Sequence, residues 1–338
     1  MNIQEVTSKK QWEQFLHTAK PHTFLHDWEW GDVQESLGHT IWRFGIFENE
    51  KLEGVALVVK IVARRGSFLF IPHGPIIEDE NYAEGLQALT NHLRLLAKEE
   101  RCIFIRISSL QKDSMQSREM FSGLDFINAP IHMHPELAWV LPLDKSEDQL
   151  LKEMRKNTRY SIRKAEKDGI EIESTNDPER LKDFFPIYQE TVLRQHFTPF
   201  NKKYLESEFK ILSQAQKTLL FLAKYQGRVV SVAIIVFNKQ SGFYHHGASS
   251  QKHSHLTASH LLQWEVIREA KRRGCDLYNF WGISPQDKSR HPWAGLSRFK
   301  MGFGGEAEGY LHAQDLVLSP FYWLNYVIET LRRLKRGL

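Results

Sequence analysis

Apolar positions along the chain recur with two periods, every second residue or every third to fourth, and the switches between them mark the predicted elements. Ser8 to Ala19 reads as a helix with the serine as N-cap, and Phe24 to Leu37 as a second helix carrying Trp28 and Trp30. Three strand-like runs follow at Ile41 to Glu48, Gly54 to Val62 and Ser67 to Ile71, joined by the turn-like pairs Asn49-Glu50 and Arg65-Gly66. Pro72-His73-Gly74-Pro75 ends the third strand in a rigid loop. Asn81 to Glu99 puts Leu86, Leu89, Leu93 and Leu96 on one helical face, and Cys102 to Ser108 returns as an apolar strand.

The same order comes again. Strands are predicted at Thr218 to Tyr225, Arg228 to Asn238 and Gly242 to Ala248, then a helix at Leu256 to Arg273 and a strand at Asp276 to Trp281. Matching elements are offset by about 175 residues, and a constant offset of like elements signals a repeat even without sequence identity. Each copy resembles the GNAT acyltransferase fold, so the expected class is α/β with two tandem GNAT-like domains on mixed sheets.

Between the copies, Ser146 to Gly169 reads as one helix, opened by a Ser146/Gln149 capping box and closed by Asp168-Gly169. Leu151, Met154, Thr158, Ile162 and Ala165 form its apolar stripe, which turns the basic residues outward. Pro178 to His196 and Asn201 to Gln214 read as two further helices, Ala307 to Val317 as a strand, and Pro320 to Arg336 as a terminal helix. The expected layout is a first domain over residues 1–145, completed by the terminal helix 318–338, and a second over 146–317.

Composition changes this picture little. The 338 residues are 41% apolar and 25% charged, as in ordinary globular proteins, and suffice for two domains. The N-terminus has no apolar leader-like stretch and the longest apolar run, Val229 to Phe237, is too short to span a bilayer. Two cysteines, Cys102 and Cys275, give no disulfide framework or cysteine metal site, and a reducing cytoplasm is expected. Charge matters through its clustering. Net charge is only +4, but Lys152, Arg155, Lys156, Arg159, Arg163, Lys164 and Lys167 face only Glu153, Glu166 and Asp168 within one segment. A solvated face and a phosphate-binding face are both open readings. The terminal helix, apolar with a basic tip, packs on a core or, in the second reading, lies against anionic lipid headgroups.

No phosphate loop, dinucleotide fingerprint, HExxH, CxxC or GxSxG elbow occurs, which speaks against kinase, hydride-transfer and triad-hydrolase chemistry. His245 and His246 are adjacent on a predicted strand, so their side chains should point to opposite faces and not share a metal; no metal is expected. The junction GASSQKHSHLTAS lacks the pyrophosphate loop of coenzyme A acetyltransferases. Chemistry gathers best in NFWGISPQDKSRHPWAGLSRFKMGFGGE, Asn279 to Glu306, where Lys300 stands between Phe299 and Phe303 among glycines. There it either snorkels over an aromatic pair or holds a positive charge against an anionic or carbonyl-bearing ligand.

Two stretches carry a recognisable pattern: LLKEMRKNTRYSIRKAEKDGIEI at Leu150 to Ile172, and YNFWGISPQDKSRHPWAGLSRFKMGFGGE at Tyr278 to Glu306. With WEWG at Trp28 to Gly31, PHGP at Pro72 to Pro75, GAS at Gly247 to Ser249 and LLQWEVIREAKRRG at Leu261 to Gly274, they resemble the FemABX family of peptidyl transferases, the peptidoglycan bridge formation enzymes. The resemblance covers nearly the whole chain. It implies transfer of an amino acid from aminoacyl-tRNA to the side-chain amine of the stem peptide of a peptidoglycan precursor, UDP-linked or lipid-linked. No cofactor is implied beyond the aminoacyl-tRNA donor, and a monomer is expected. Some members carry a long helical hairpin in the second domain. Here Gly169-Ile170 follows the basic helix directly, so this chain resembles the compact form.

Lys300 matches the family's catalytic lysine in the FKxGF motif. Arg194, in ETVLRQ, matches an arginine that binds the precursor's pyrophosphate. Gln34 stands where a phosphate-binding lysine is common, Ser108 where an acid is frequent, and His246 where a tyrosine is common before GAS; these departures bear on substrate identity. Trp281 is expected to shape the precursor-binding cleft, and Arg155, Arg159 and Arg163 to contact tRNA. Two other readings stay open: a coenzyme A-dependent N-acyltransferase or an enzyme acting on another cell-surface polymer, and a non-catalytic member that binds RNA or precursor.

Overall fold

Local signals build most of the elements. Ser8 caps its helix by accepting from the Gln11 backbone, and Ser146 and Gln149 form the reciprocal capping box. Asn49 and Glu50 are both left-handed, with φ of 45° and 70°, which matches a two-residue hairpin turn to strand twist. The computed structural model describes residues 1–195, 198–285 and 291–336, and these fall into two units. The first comprises Met1–Leu137, Ser284–Pro292 and Glu308–Leu338, the second Ala138–Ile283 and Trp293–Ala307.

The chain begins with β1 (Asn2–Glu5), α1 (Lys9–Thr18), α2 (Trp28–Ser36), β2 (Thr40–Glu48), β3 (Lys51–Ala63), β4 (Gly66–Pro72) and β5 (Ile76–Ile77). It continues with α3 (Tyr82–Glu99), β6 (Cys102–Ser108), α4 (Met115–Ser122), β7 (Phe126–Asn128), β8 (Leu137–Pro142), α5 (Glu147–Glu153), α6 (Lys156–Lys167) and β9 (Glu171–Thr175). Next come α7 (Leu181–Gln195), α8 (Lys202–Gln214), β10 (Thr218–Tyr225), β11 (Arg228–Phe237), β12 (Ser241–Ser249), α9 (Ala258–Arg272) and β13 (Leu277–Gly282). Last are α10 (Ala294–Lys300), β14 (Glu306–Gly309), β15 (Gln314–Val317) and α11 (Tyr322–Arg336).

The two sheets follow one plan. The first runs β1-β2-β3-β4-β6-β15-β7 with β5 on β3, and the second β14-β8-β13-β12-β11-β10-β9. In each, three antiparallel strands lead through a helix to a strand that pairs in parallel, β4 with β6 and β12 with β13. The next strand across is antiparallel in both, but its origin differs: β8 precedes the second repeat in sequence, whereas β15 arrives in the first sheet from near the C-terminus.

Three expected elements and one boundary are corrected. The helix 146–169 is two helices. Met154 and Arg155 are extended, the Arg155 amide donates to the Gly302 carbonyl, and the Arg159 guanidinium takes the carbonyls of Lys152 and Met154. The tertiary partner thus ends α5, and Leu150 rather than Leu151 joins the buried stripe. The strand 307–317 splits, β14 lying on the second sheet and β15 in the first. The helix 24–37 is a 3-10 turn followed by α2, broken at the extended Asp27. The boundary at 145/146 moves to 137/138, because β8 pairs with β13. His196, the expected end of α7, lies outside the described residues.

The first unit is closed by a buried ion network. Arg106 on β6, with no exposed surface, donates to both carboxylate oxygens of Asp315 on β15 at 2.6 Å and to Glu329 on α11 at 2.9 Å, while the Tyr322 hydroxyl donates to Asp315 at 2.8 Å. Tyr322 also packs with Phe68, Phe70 and Phe104. Desolvating these charges is costly, and removing one partner leaves another buried and uncompensated. Asp315→Ala is therefore expected to destabilise the protein by about 3–5 kcal/mol, read as a lower urea midpoint. An unchanged midpoint would show that the network does not hold β15 and α11 in place.

Candidate active site

Parallel pairing of β12 with β13 ends early. Only Ser241, Gly242 and Phe243 pair with Leu277, Tyr278 and Asn279, and both strands run on beyond that point. At the end of β13 an extra residue interrupts pairing with β8, and Trp281 takes φ of 68°, a conformation costly for a bulky side chain. Asn279 accepts the Trp281 amide at 2.7 Å, and the next carbonyl, Gly282, accepts from Lys300 Nζ at 2.6 Å.

Lys300 ends α10 and is only 4% exposed. Its ammonium lies 5.8 Å from the centre of the Tyr244 ring, and among the described residues no carboxylate is within ion-pair range. Burial lowers its pKa to about 7. The backbone after it is held by contacts only glycine permits. A Cβ on Gly302 would collide with the Thr158 hydroxyl, and one on Gly305 with the Val140 carbonyl oxygen. Trp139 donates to the Gly304 carbonyl at 2.7 Å, and Phe303 is buried against Phe280 and Phe299. A lysine in this setting is held by its surroundings rather than snorkelling to water.

β12 carries the rest of the group. Tyr244 lies beside Lys300, and Ser249 receives Arg194 of α7, whose guanidinium donates to the Ser249 carbonyl at 2.9 Å and to its hydroxyl at 3.4 Å. Between them is a bulge. Ile234 of β11 faces His246 and Ile235 faces Tyr244, leaving His245 as the extra residue. The expectation that the two histidines point to opposite faces fails for this reason: both Nε2 atoms approach Oε1 of Glu208 on α8, at 3.2 and 3.4 Å. Burial, with His245 beside it, lowers the pKa of His246. Trp281 packs edge-on to His245, with centroids 6.1 Å apart. Lys300, Tyr244, Trp281, His246 and Arg194 are thus gathered around one strand of the second unit.

Other expected residues lie elsewhere. Gln34, half-buried on α2, and Ser108, buried at the end of β6, belong to the first unit. Arg155 and Arg163 are exposed on the basic segment. Arg159 is half-buried, and its Nη1 caps the carbonyls that end α5. Residues 286–290 of the loop before Lys300 lie outside the described residues. Sequence reading missed Tyr244 and Glu208, and set His245 aside on strand alternation. For Glu208 a signal existed: it sits on the apolar stripe of Leu205, Phe209 and Leu212, where an acid needs a partner.

The FemAB family model matches residues 7–226 and 205–330, together most of the chain. The chain belongs to the FemAB family. Curated relatives include a lipid II:glycine glycyltransferase of Staphylococcus epidermidis, 22% identical over 96% of this chain and 94% of the relative. One of Staphylococcus aureus is 22% identical over 88% of each. Among solved structures, FemX superposes with a TM-score of 0.86 at 19% identity, covering 97% of this chain and all of FemX. A tandem GNAT protein from the clavulanic acid biosynthesis pathway gives 0.56 at 10% identity, over 94% and 99%. The fold of this FemAB member is therefore the tandem GNAT arrangement, and the chain is an aminoacyltransferase.

A lysine buried without a counter-ion among the described residues has a stability signature. Its folded-state pKa lies below the unfolded value of roughly 10.4, so folding penalises the charged form fully below pH 7 and progressively less as pH rises toward the unfolded value. Lys300→Met is expected to raise the thermal midpoint, with the largest gain below pH 7 and a shrinking gain between pH 7 and 10. A gain independent of pH would show that folding does not shift the Lys300 pKa.

Proposed function

We propose that the chain transfers an aminoacyl group from aminoacyl-tRNA to the side-chain amine of the stem peptide of a peptidoglycan precursor. The observation that carries this reading is Lys300: a buried ammonium with no carboxylate partner among the described residues, fixed at the point where β12 and β13 cease to pair. The amine nitrogen attacks the ester carbonyl, the carbonyl oxygen becomes an oxyanion, and the carbon–oxygen bond to the tRNA ribose then breaks, returning a hydroxyl to the tRNA. A cation already desolvated at the oxyanion needs little reorganisation and favours the transition state over the ground state. The proton lost by the amine ends on solvent or on the departing oxygen.

The names of the relatives favour glycine as the first donor amino acid to test and a lipid-linked acceptor. A surface feature of this chain agrees with the second. Just before and along α11, Phe321, Leu324, Val327, Leu331 and Leu334 recur at three- and four-residue spacing and are 54–73% exposed, with Arg332 and Lys335 exposed beside them. No helix among the described residues is long and apolar enough to cross a membrane. An apolar stripe with basic flanks suits the surface of an anionic bilayer, where the lipid-linked precursor is met.

The deciding experiment supplies labelled aminoacyl-tRNA with UDP-linked or lipid-linked pentapeptide. Label is expected to move from tRNA to the peptide. Lys300→Met should lower kcat at least about 100-fold with precursor KM nearly unchanged, and wild-type kcat/KM should fall as pH rises above about 7 while Lys300 loses its proton. Absence of transfer, with acyl transfer from coenzyme A in its place, overturns the proposal. In the same assay, charge reversal at Arg155 and Arg163 should weaken tRNA use and flatten its salt dependence, by about one in log–log slope for each phosphate left unneutralised; an unchanged slope would leave that face merely solvated.

For α11, wild-type protein is expected to sediment with vesicles containing phosphatidylglycerol, and Leu324→Asp with Leu331→Asp to stay in the supernatant. Wild-type protein that remains unbound would exclude the membrane-surface role.

A further inference from the structure

A second polar centre lies on the same strand, and the transfer chemistry above does not use it. Glu208 of α8 has a fully buried side chain facing the bulge of β12, and His245 and His246 both turn toward it. Both Nε2 atoms lie close to the same carboxylate oxygen, Oε1, at 3.2 and 3.4 Å. Neither Glu208 oxygen nor His246 Nε2, all enclosed, has an aligned hydrogen bond among the described residues. One ligand atom from each of the three residues lies within 4.8 Å of the others.

These distances suit a different task. Zinc bound at about 2.0–2.1 Å by nitrogen and oxygen in a tetrahedron holds its donors roughly 3.3–3.4 Å apart, close to the two separations found. The bulge is the feature that makes this possible, because a regular strand would send adjacent histidines to opposite faces. We infer that Glu208, His245 and His246 form a binding site for one divalent transition-metal ion of the zinc class. Two neutral imidazoles and one carboxylate supply three ligands, and a fourth position stays open to water or another oxygen donor. The ion ties α8 to the bulged strand beside Trp281, so it orders the wall of the aminoacyl-transfer site without being required for the oxyanion chemistry.

The test uses the full-length chain, stripped with a chelator and titrated with Co(II) alone. Wild type is expected to show the visible absorption of four-coordinate cobalt, to saturate at one ion per chain, and to lose the band when Zn(II) displaces the cobalt. Glu208→Gln and His246→Ala should abolish the band. His245→Gln should weaken binding at least tenfold, with far-UV circular dichroism confirming that each variant is folded. Wild-type protein without such a band at saturating Co(II) overturns the site, and this result does not depend on any variant folding. A band that persists unchanged in folded Glu208→Gln also overturns it, by placing the ion at other histidines. Because the readout is metal binding, failure here leaves the transferase proposal untouched, and failure of aminoacyl transfer leaves this one untouched.

Discussion

The hydrogen-bonded contact between β12 and β13 lasts for three residue pairs, and the candidate chemistry of the second unit lies where it stops. A strand that loses its neighbour leaves backbone groups that need other partners. Gly282 finds one in the Lys300 ammonium, Trp281 finds one in the Asn279 side chain, and on the other strand Ser249 finds Arg194 and Thr191. The side chains that satisfy the parted strands thus include Lys300, the proposed catalytic group. Lys300 is both the hydrogen-bond partner of a strand end and a buried cation lacking a counter-ion among the described residues.

The first unit shows the same plan without this opening. There β4 and β6 stay paired over six positions, to Pro72 opposite Ser108. Its principal buried charges are matched: Arg106 meets Asp315 and Glu329, and Tyr322 completes the network. The two copies therefore use buried polar groups to different ends. In one, opposite charges close a fold whose strand order depends on a distant segment of chain. In the other, Lys300 has no carboxylate partner among the described residues, an arrangement that costs stability and suits a group reserved for charge that develops only during reaction.

Much of the frame was legible in the sequence. The hairpin at Asn49-Glu50, the capping box at Ser146, the leucine face of α3 and the repeated order of strands and helix depend on neighbours within a few residues, which periodicity and turn chemistry report directly. The FKMGFGG run likewise announced a lysine in a tight, glycine-dependent setting. What the sequence could not show was where contacts distant along the chain break local patterns. A continuous helical stripe over 146–169 is interrupted because Gly302 takes the Arg155 amide. One predicted strand at 307–317 divides between two sheets.

The sequence by itself determined the two α/β repeats, the family and the candidate lysine, because each is written in local spacing or in motifs that survive without knowledge of packing. Only the tertiary structure decided that His245 and His246 share a face, that Glu208 is their partner, that Arg159 is a cap, and that β15 crosses into the first sheet. The physical reason is the same in each case. A one-residue bulge inverts the side-chain alternation that strand periodicity assumes. Partners separated by tens to hundreds of residues meet through packing geometry, which no local pattern encodes.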